Sequence, residues 1–217
     1  SYENKIKKLI FFGSSCIYPK NLKKPIKENQ ILTGPLEKTN ESYSVAKIAG
    51  IQMIDAFNKQ YKTKYICLMP CNLFGPNDSY DLENSHFLPA LIRKIYYASK
   101  KSKNKVVKLW GTGKPLREVL YVDEVAEACE FFLKKNIKSS LINIGSSIEK
   151  SVKDYAVIVK NKIDPKVIVK FDSNKKLDGV KRKKLNISLA SNYGWKAKMN
   201  FSKALDKTID NFKRYHK

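Results

Sequence analysis

The stretch NESYSVAKIAG sets Tyr43 and Lys47 four residues apart. On a helix that spacing makes the two side chains neighbours on one face. A phenol with an ordinary pKa of about 10 is a poor acid–base group at neutral pH, and an adjacent ammonium favours its phenolate form. The pair is therefore suited to moving a proton to or from a substrate oxygen. Two common residues at helical spacing are weak evidence alone, and their position adds to it. They follow LIFFGSSCIYPK, in which an apolar run ends in Gly13, Ser14, Ser15 and Cys16. They precede YICLMPCNLFGPND, whose apolar run ends in Pro70, Cys71, Asn72 and Leu73. A continuous apolar run reads as a strand covered on both faces, at the centre of a parallel sheet. Ligands of open α/β sheets gather outside the carboxyl ends of such strands. Gly-Ser-Ser is also ordinary turn composition, so the strand end alone leaves both readings open.

The elements that must position these residues follow from periodicity and punctuation. Residues 5–12 read as a buried strand, followed by a polar loop to about Thr39. Helix signals begin near Asn40 to Ser42, with apolar positions at Tyr43, Ala46, Gly50, Met53, Ile54 and Phe57. Tyr65 to Leu68 is a second buried strand. HFLPALIRKIYYASKK reads as a helix with Pro89 in its first turns, where the ring is tolerated. KVVKLW is a short strand before a Gly-Thr-Gly-Lys-Pro turn. Asp123 is expected to cap a helix ending near Leu133, and LINIG is a buried strand. Further helices are predicted near 151–162, 184–192 and 201–214, with KVIVKF a strand after the first of them. Alternation of this kind indicates a parallel α/β sheet.

Composition narrows the function classes. At 217 residues, with 42% hydrophobic and 11% aromatic content, the chain is large enough to bury a sizeable core. No apolar run reaches membrane-spanning length, and no charged-then-apolar leader opens the sequence, so it reads as soluble. Cys16, Cys67, Cys71 and Cys129 lie in apolar segments without framework spacing, which predicts reduced thiols and a cytoplasmic setting. Two histidines and no CxxC give zinc little support. The net charge of +23 raises nucleic acid as a partner. Only four of the 43 basic residues are arginine, however, and the lysines are spread along the chain with short clusters between Lys100 and Lys105 and between Lys181 and Lys184. With no groove-reading motif beside them, they read as a solvated surface that would help to capture an anionic substrate.

Several motifs in order resemble a known family. FFGSSCIYP, NESYSVAKIAG, MPCNLFGPND, NSHFLPALIRK, LWGTGKPLREVLYVDEVAEA, NIGSS and LDGVKRKKLN occur as they do in the GDP-L-fucose synthases. These are extended short-chain dehydrogenases/reductases, and the resemblance covers nearly the whole chain. It implies an NADP(H)-dependent 3,5-epimerisation of GDP-4-keto-6-deoxy-D-mannose followed by reduction of the 4-keto group. Tyr43 would donate the proton as hydride arrives at C4, with Ser14 hydrogen-bonded to the same carbonyl and Lys47 holding the nicotinamide ribose. Cys16 and His86 match the acid–base pair that exchanges protons at C3 and C5; a buried structural thiol and a surface histidine are the plainer readings of these two residues. Gly13, Ser14, Ser15, Tyr43, Lys47, Pro70, Cys71, Asn72, Leu73 and His86 would contact the cofactor. Lys94, Trp110, Arg117, Asp178 and Lys183 match positions for the GDP-sugar, where Trp110 could equally be core.

The resemblance also sets the expected architecture. The family carries a complete first βαβαβ half, with a glycine-rich pyrophosphate loop, ahead of the strand matching LIFFGSS. None of the nine glycines here forms such a cluster. The expectation is an incomplete Rossmann-type doubly wound sheet, its N-terminal half missing, with a smaller α/β substrate-binding domain. Residues 1–75 would be the C-terminal half of the cofactor-binding domain. Residues 76–217 would mainly bind the sugar nucleotide, with segments near 118–145 returning to the first domain. A homodimer is expected of the complete enzyme, and a separately encoded N-terminal half is one source of the missing part. The alternatives are a GDP-sugar-binding remnant without turnover, or another sugar-nucleotide epimerase or reductase of the superfamily.

Overall fold

In chain order the elements are β1 (Ile10–Phe12), α1 (Glu41–Tyr61), β2 (Ile66–Pro70), β3 (Asn72–Phe74), α2 (Phe87–Ser99), β4 (Val106–Leu109) and β5 (Leu116–Tyr121). They continue with α3 (Val122–Lys134), β6 (Leu141–Ile144), β7 (Glu149–Ser151), α4 (Val152–Ile163), β8 (Ile168–Phe171), β9 (Arg182–Lys183), α5 (Ser188–Asn192) and α6 (Phe201–Tyr215). The structure, a computed structural model, describes residues 1–20, 22–83 and 85–216, with the Leu177 side chain also outside the description. The chain forms two units. One comprises Ser1–Cys71, Asp123–Ser147 and Lys183–Lys198; the other comprises Asn72–Val122, Ile148–Arg182 and Met199–Lys217.

The first unit is built on a parallel sheet of order β1-β2-β6. Ile10 pairs with Ile66 and Leu68 with Ile142. Parallel pairing needs a crossover, which the 21-residue α1 supplies between β1 and β2. β2 is buried along its whole length, as a strand covered on both faces should be. Cys67, Leu68, Met69, Ile142 and Ile144 form the centre of its core, with Ala128 and Phe132 of α3 also buried. Among the described residues no disulfide joins the four cysteines.

Three expectations need correction here. β1 is not a long central strand: it spans Ile10–Phe12, pairs among the described residues only with β2, and leaves Phe12 41% exposed. Upstream, Lys5 takes a left-handed φ of 55° and its N–H closes a turn on the Tyr2 carbonyl, which ends extended pairing there. The buried stripe of α1 is Ser44, Ile48, Ile51 and Ile54, whereas Tyr43, Ala46 and Met53 are exposed. Both stripes have helical spacing, and the packing of Gly50 against the Phe11 ring selects between them; a Cβ there would sit 2.4 Å from Cζ. The predicted helix at 184–192 is only Ser188–Asn192, because Lys184 to Asn186 run extended beside Ile26. Ile26 N donates to Lys184 O and Asn186 N to Ile26 O, each at 2.8 Å.

The second unit holds β3, β5 and β7, with β3 parallel and β7 antiparallel to β5, and a separate parallel pair β4–β8. β3, β5 and β7 are not among the strands read from the sequence. α2, α4 and α6 surround a core that includes Ile92, Ile95, Tyr155, Val159, Leu205 and Phe212. α6 buries Ala204, Leu205, Thr208, Ile209 and Phe212, one stripe at helical spacing. Its first turn is capped by Asn200, whose side chain accepts from Ser202 N and Lys203 N. α4 starts with a reciprocal Ser151–Asp154 capping box. α3 begins at Val122, so Asp123 lies in its first turn rather than capping it.

Candidate active site

At the end of β1 the chain turns hard against β2. Gly13 N donates to Leu68 O at 3.0 Å, and a Cβ on Gly13 would lie 2.1 Å from Met69 Sδ. The next residues form a single 3-10 turn, Ser15–Ile17. Ser14 caps it: its Oγ accepts from Cys16 N at 3.3 Å. That bond uses the oxygen as acceptor, so the O–H hydrogen remains to be donated. Ser15 is buried and Cys16 half-buried.

α1 lays its functional residues over this turn. Ser44, on the buried stripe, donates to the Cys16 carbonyl at 3.0 Å. One turn along, Lys47 Nζ donates to the Phe12 carbonyl at 2.7 Å. The same ammonium sits 5.0 Å from the Phe11 ring centroid and 5.8 Å from that of Tyr43. Tyr43 is 49% exposed. A strand-end carbonyl therefore fixes the cation beside a phenol that a ligand can reach. Pro70 and Cys71 close the adjacent end of β2 with buried side chains; Cys71 N donates to Ile144 O at 3.1 Å. Lys183, also in the first unit, donates through Nζ to Cys16 Sγ at 3.4 Å.

The remaining candidates, Asn72, Leu73, His86, Lys94, Trp110, Arg117 and Asp178, belong to the second unit. Asn72 and Leu73 lie on β3, where Asn72 Nδ2 donates to Glu118 O at 3.2 Å. His86 is exposed and precedes α2. Asp78 carries a carboxyl pushed up by burial, an effect opposed by its bond from Ser79 N–H and by the charge of His86. Trp110 is 69% exposed, with Lys94 Nζ 4.9 Å above its ring. An indole that exposed is not core.

Arg117 and Asp178 are joined in one braced loop. Arg117 Nη1 donates to the carbonyls of Leu116 and Val180, each at 2.8 Å, and Nη2 to Asp178 O at 3.4 Å. Burial lowers the Arg117 pKa, and the charges of Asp178 and Glu149 oppose that shift. The Asp178 carboxylate accepts from Thr112 N at 2.6 Å and Thr112 Oγ1 at 2.8 Å. These bonds, the backbone one first, hold its carboxyl below the usual carboxylate range. Asp178 thus fixes the Gly-Thr-Gly turn, in which Gly111 and Gly113 have φ of 76° and 72°.

The sequence reading missed Ser44, Thr112 and Asn143. Asn143 is fully buried, accepting from the Tyr18 hydroxyl and donating to the carbonyls of Ile26 and Asn186. The available signal was a polar residue inside an apolar run (Asn143 in LINIG) or on an apolar helical stripe (Ser44 with Ile48 and Ile51). Thr112 carried no such signal.

Strand-end hydroxyls, and a tyrosine beside a lysine held to a strand-end carbonyl, stand on a parallel α/β sheet, and the chain belongs to the NAD dependent epimerase/dehydratase family, which it matches over residues 1–145. Its relatives are narrower in kind. It is 43% identical over 210 residues to the putative GDP-L-fucose synthase 2 of Arabidopsis thaliana, an alignment covering 97% of this chain and 63% of that protein. The chain thus spans a little under two thirds of the length of that relative. Among solved structures, a GDP-6-OMe-4-keto-L-xylo-heptose reductase from C. jejuni superposes with a TM-score of 0.89 at 30% identity, covering 100% of this chain and 73% of the other. A GDP-L-fucose synthetase from Naegleria fowleri bound to NADP gives 0.87 at 28% identity, covering 99% and 66%. No helix among the described residues is long and apolar enough to cross a membrane.

Proposed function

We propose that this chain carries the catalytic and sugar-nucleotide-binding part of an NADP(H)-dependent GDP-L-fucose synthase, acting on GDP-4-keto-6-deoxy-D-mannose. The observation that carries the reading is the Lys47 ammonium fixed to the Phe12 carbonyl beside an exposed Tyr43. C3 and C5 both flank the C4 ketone, which acidifies their hydrogens by delocalising the resulting carbanion as an enolate, so a thiol and an imidazole are suited to exchanging them. Cys16 and His86 take those roles. Tyr43 then gives its proton to the C4 oxygen while the Ser14 hydroxyl hydrogen-bonds the same atom, and Lys47 offsets the charge left on the phenol.

The donor set at the ends of β1 and β2 suits a nicotinamide ribose and carboxamide: two hydroxyls, a phenol, an ammonium and closely approaching backbone. Gly13, Ser14, Ser15, Tyr43, Lys47, Pro70, Cys71, Asn72, Leu73 and His86 would hold that part of NADP(H), which supplies the hydride for C4 when bound. Arg117, Lys94 and Lys183 would meet the two phosphates, Trp110 would offer its exposed face to the base, and Asp178 would keep the adjoining turn in shape. The first unit then serves as the cofactor side and the second mainly as the sugar-nucleotide side. A cytoplasmic homodimer, completed by a further N-terminal segment where that is separately encoded, is the natural setting. The likeness to the C. jejuni heptose reductase favours a second reading, reduction of a different GDP-4-keto sugar.

The test is product analysis. Purified protein supplied with GDP-4-keto-6-deoxy-D-mannose and NADPH should yield GDP-L-fucose, identified by proton NMR. A 4-reduced product with C3 and C5 unchanged would favour the second reading, and NADPH consumption without any sugar turnover would overturn both.

A further inference from the structure

Both backbone polar groups of Cys16 are held by side chains. Its N–H is held by Ser14 Oγ and its carbonyl by Ser44 Oγ, so the backbone of the residue is fixed and rotation about χ1 is the freedom left to the sulfur. The group set against that sulfur is the Lys183 ammonium, 3.4 Å away. Lys183 does not hang from a loose loop. The residues after it are tied down through Lys184 O and Asn186 N to Ile26, through fully buried Leu185, and through Asn143 Nδ2 to Asn186 O. Its neighbour Arg182 is committed elsewhere, forking onto Glu149 at 2.9 to 3.0 Å. Within the basic run Lys181 to Lys184, Lys183 is therefore the cation aimed at Cys16.

We propose that Lys183 is the positioning residue of the Cys16 thiol, its ammonium holding the sulfur in one rotamer and supplying the counter-charge that the sulfur needs while it is without its proton. This rests on reading Cys16 as a proton-exchanging group, and it changes the role of Lys183 from a phosphate ligand to a partner of that group. In each exchange the C–H bond beside the ketone breaks, its proton goes to sulfur and its electron pair to the enolate. Lys183 keeps its own protons throughout and acts only as a charge-assisted donor. Methionine at 183 would keep most of the apolar stem but remove donor and charge; arginine would keep both.

The test needs no substrate. The purified chain is alkylated with iodoacetate, an anion, and in parallel with iodoacetamide, a neutral reagent of the same reach, and each cysteine is followed by peptide mass spectrometry. The ratio of the two rates at Cys16 reports the charge beside the sulfur. Lys183→Met should lower that ratio about three- to fivefold, the range a partly exposed ion pair commands. Lys183→Arg should hold it within about twofold. Lys184→Gln and the ratio at Cys129, on α3, should be unmoved. If Lys183→Met fails to fold by circular dichroism, Lys183→Gln is read in its place. An unchanged ratio, an equal fall in Lys184→Gln, or an equal fall in Lys183→Arg would each overturn the proposal. Failure of GDP-fucose formation would leave these ratios untouched, so the two readings fall separately.

Discussion

Asn143→Ala should destabilise the first unit by about 3–5 kcal/mol, a large share of the stability of an ordinary domain. The side chain makes three hydrogen bonds from a fully buried position: from the Tyr18 hydroxyl at 2.7 Å, to Ile26 O at 2.9 Å and to Asn186 O at 3.3 Å. Alanine leaves the hydroxyl of Tyr18, a residue 1% exposed, without its partner. An orphaned buried hydroxyl costs about 1–3 kcal/mol. Nor can the hydroxyl escape by ionising, since burial and the nearby Glu28 carboxylate push its pKa far up. The Ile26 carbonyl keeps its bond from Asn186 N, and the Asn186 carbonyl is partly accessible, so these two lost bonds count about 1 kcal/mol each. Tyr18→Phe removes the same bond from the other side and should cost about 1–2 kcal/mol, leaving Asn143 Oδ1 unpaired. In a double-mutant cycle the two should couple by about 1–2 kcal/mol, because they share one bond. Urea denaturation followed by circular dichroism measures all four proteins. A cost below about 1 kcal/mol for Asn143→Ala, or strictly additive effects, would refute the reasoning. The result also bears on the site, because the network joins Tyr18, two residues from Cys16, to Asn186, three residues from Lys183.

Three further outcomes are expected. Gly50→Ala would by helix propensity alone stabilise α1 by about 1 kcal/mol, but the new Cβ meets the Phe11 ring at 2.4 Å, so a net loss of about 1–2 kcal/mol is expected; a higher melting temperature would show that the ring gives way. The folded pKa of Asp178 lies below its unfolded value, so its carboxylate stabilises the fold above about pH 4 and that contribution is lost as pH falls. Melting temperatures of the parent and Asp178→Asn should accordingly differ at neutral pH and converge in acid; a constant gap would show that the Thr112 bonds do not depend on charge. Arg117→Lys cannot reproduce the fork onto Leu116 and Val180 carbonyls, so it should cost about 1–2 kcal/mol and weaken GDP binding by calorimetry, whereas glutamine replacement of the lysines between Lys100 and Lys105 should leave GDP binding unchanged.

Much of this was legible in the sequence, and the gaps have physical causes. The start of α1, the buried run of β2, and the helices α2, α4 and α6 were readable because each has a long apolar period with local punctuation. β3, β5 and β7 were not. Asn72–Phe74 and Glu149–Ser151 are three residues each, and Leu116–Tyr121 has charged Arg117 and Glu118 as its second and third residues, so their strand state depends on partners distant in sequence. The face of α1 was misassigned because two apolar stripes compete on it. Close packing of Gly50 on Phe11, which no pattern records, turns Ser44 inward and Tyr43 outward. Residue types and spacing picked out Tyr43 and Lys47 as a neighbouring pair. They could not reveal that Lys47 is tied to Phe12, that Asp178 is committed to Thr112, or that Lys183 meets Cys16, since each of these contacts is made by the fold.

The central claim divides the labour: Cys16 and His86 exchange protons, and Tyr43 with Lys47 serves only reduction. The most direct measurement supplies GDP-4-keto-6-deoxy-D-mannose and NADPH in deuterium oxide to the parent, Tyr43→Phe and Cys16→Ser. Deuterium in the sugar is read by mass spectrometry and reduction by loss of NADPH absorbance. Tyr43→Phe should take up label at C3 and C5 while reducing the ketone at least about 100-fold more slowly, the lower range for loss of a general acid. Cys16→Ser should lose label uptake and still consume NADPH. Loss of label uptake and reduction together in Tyr43→Phe, with both intact in Cys16→Ser, would contradict the account.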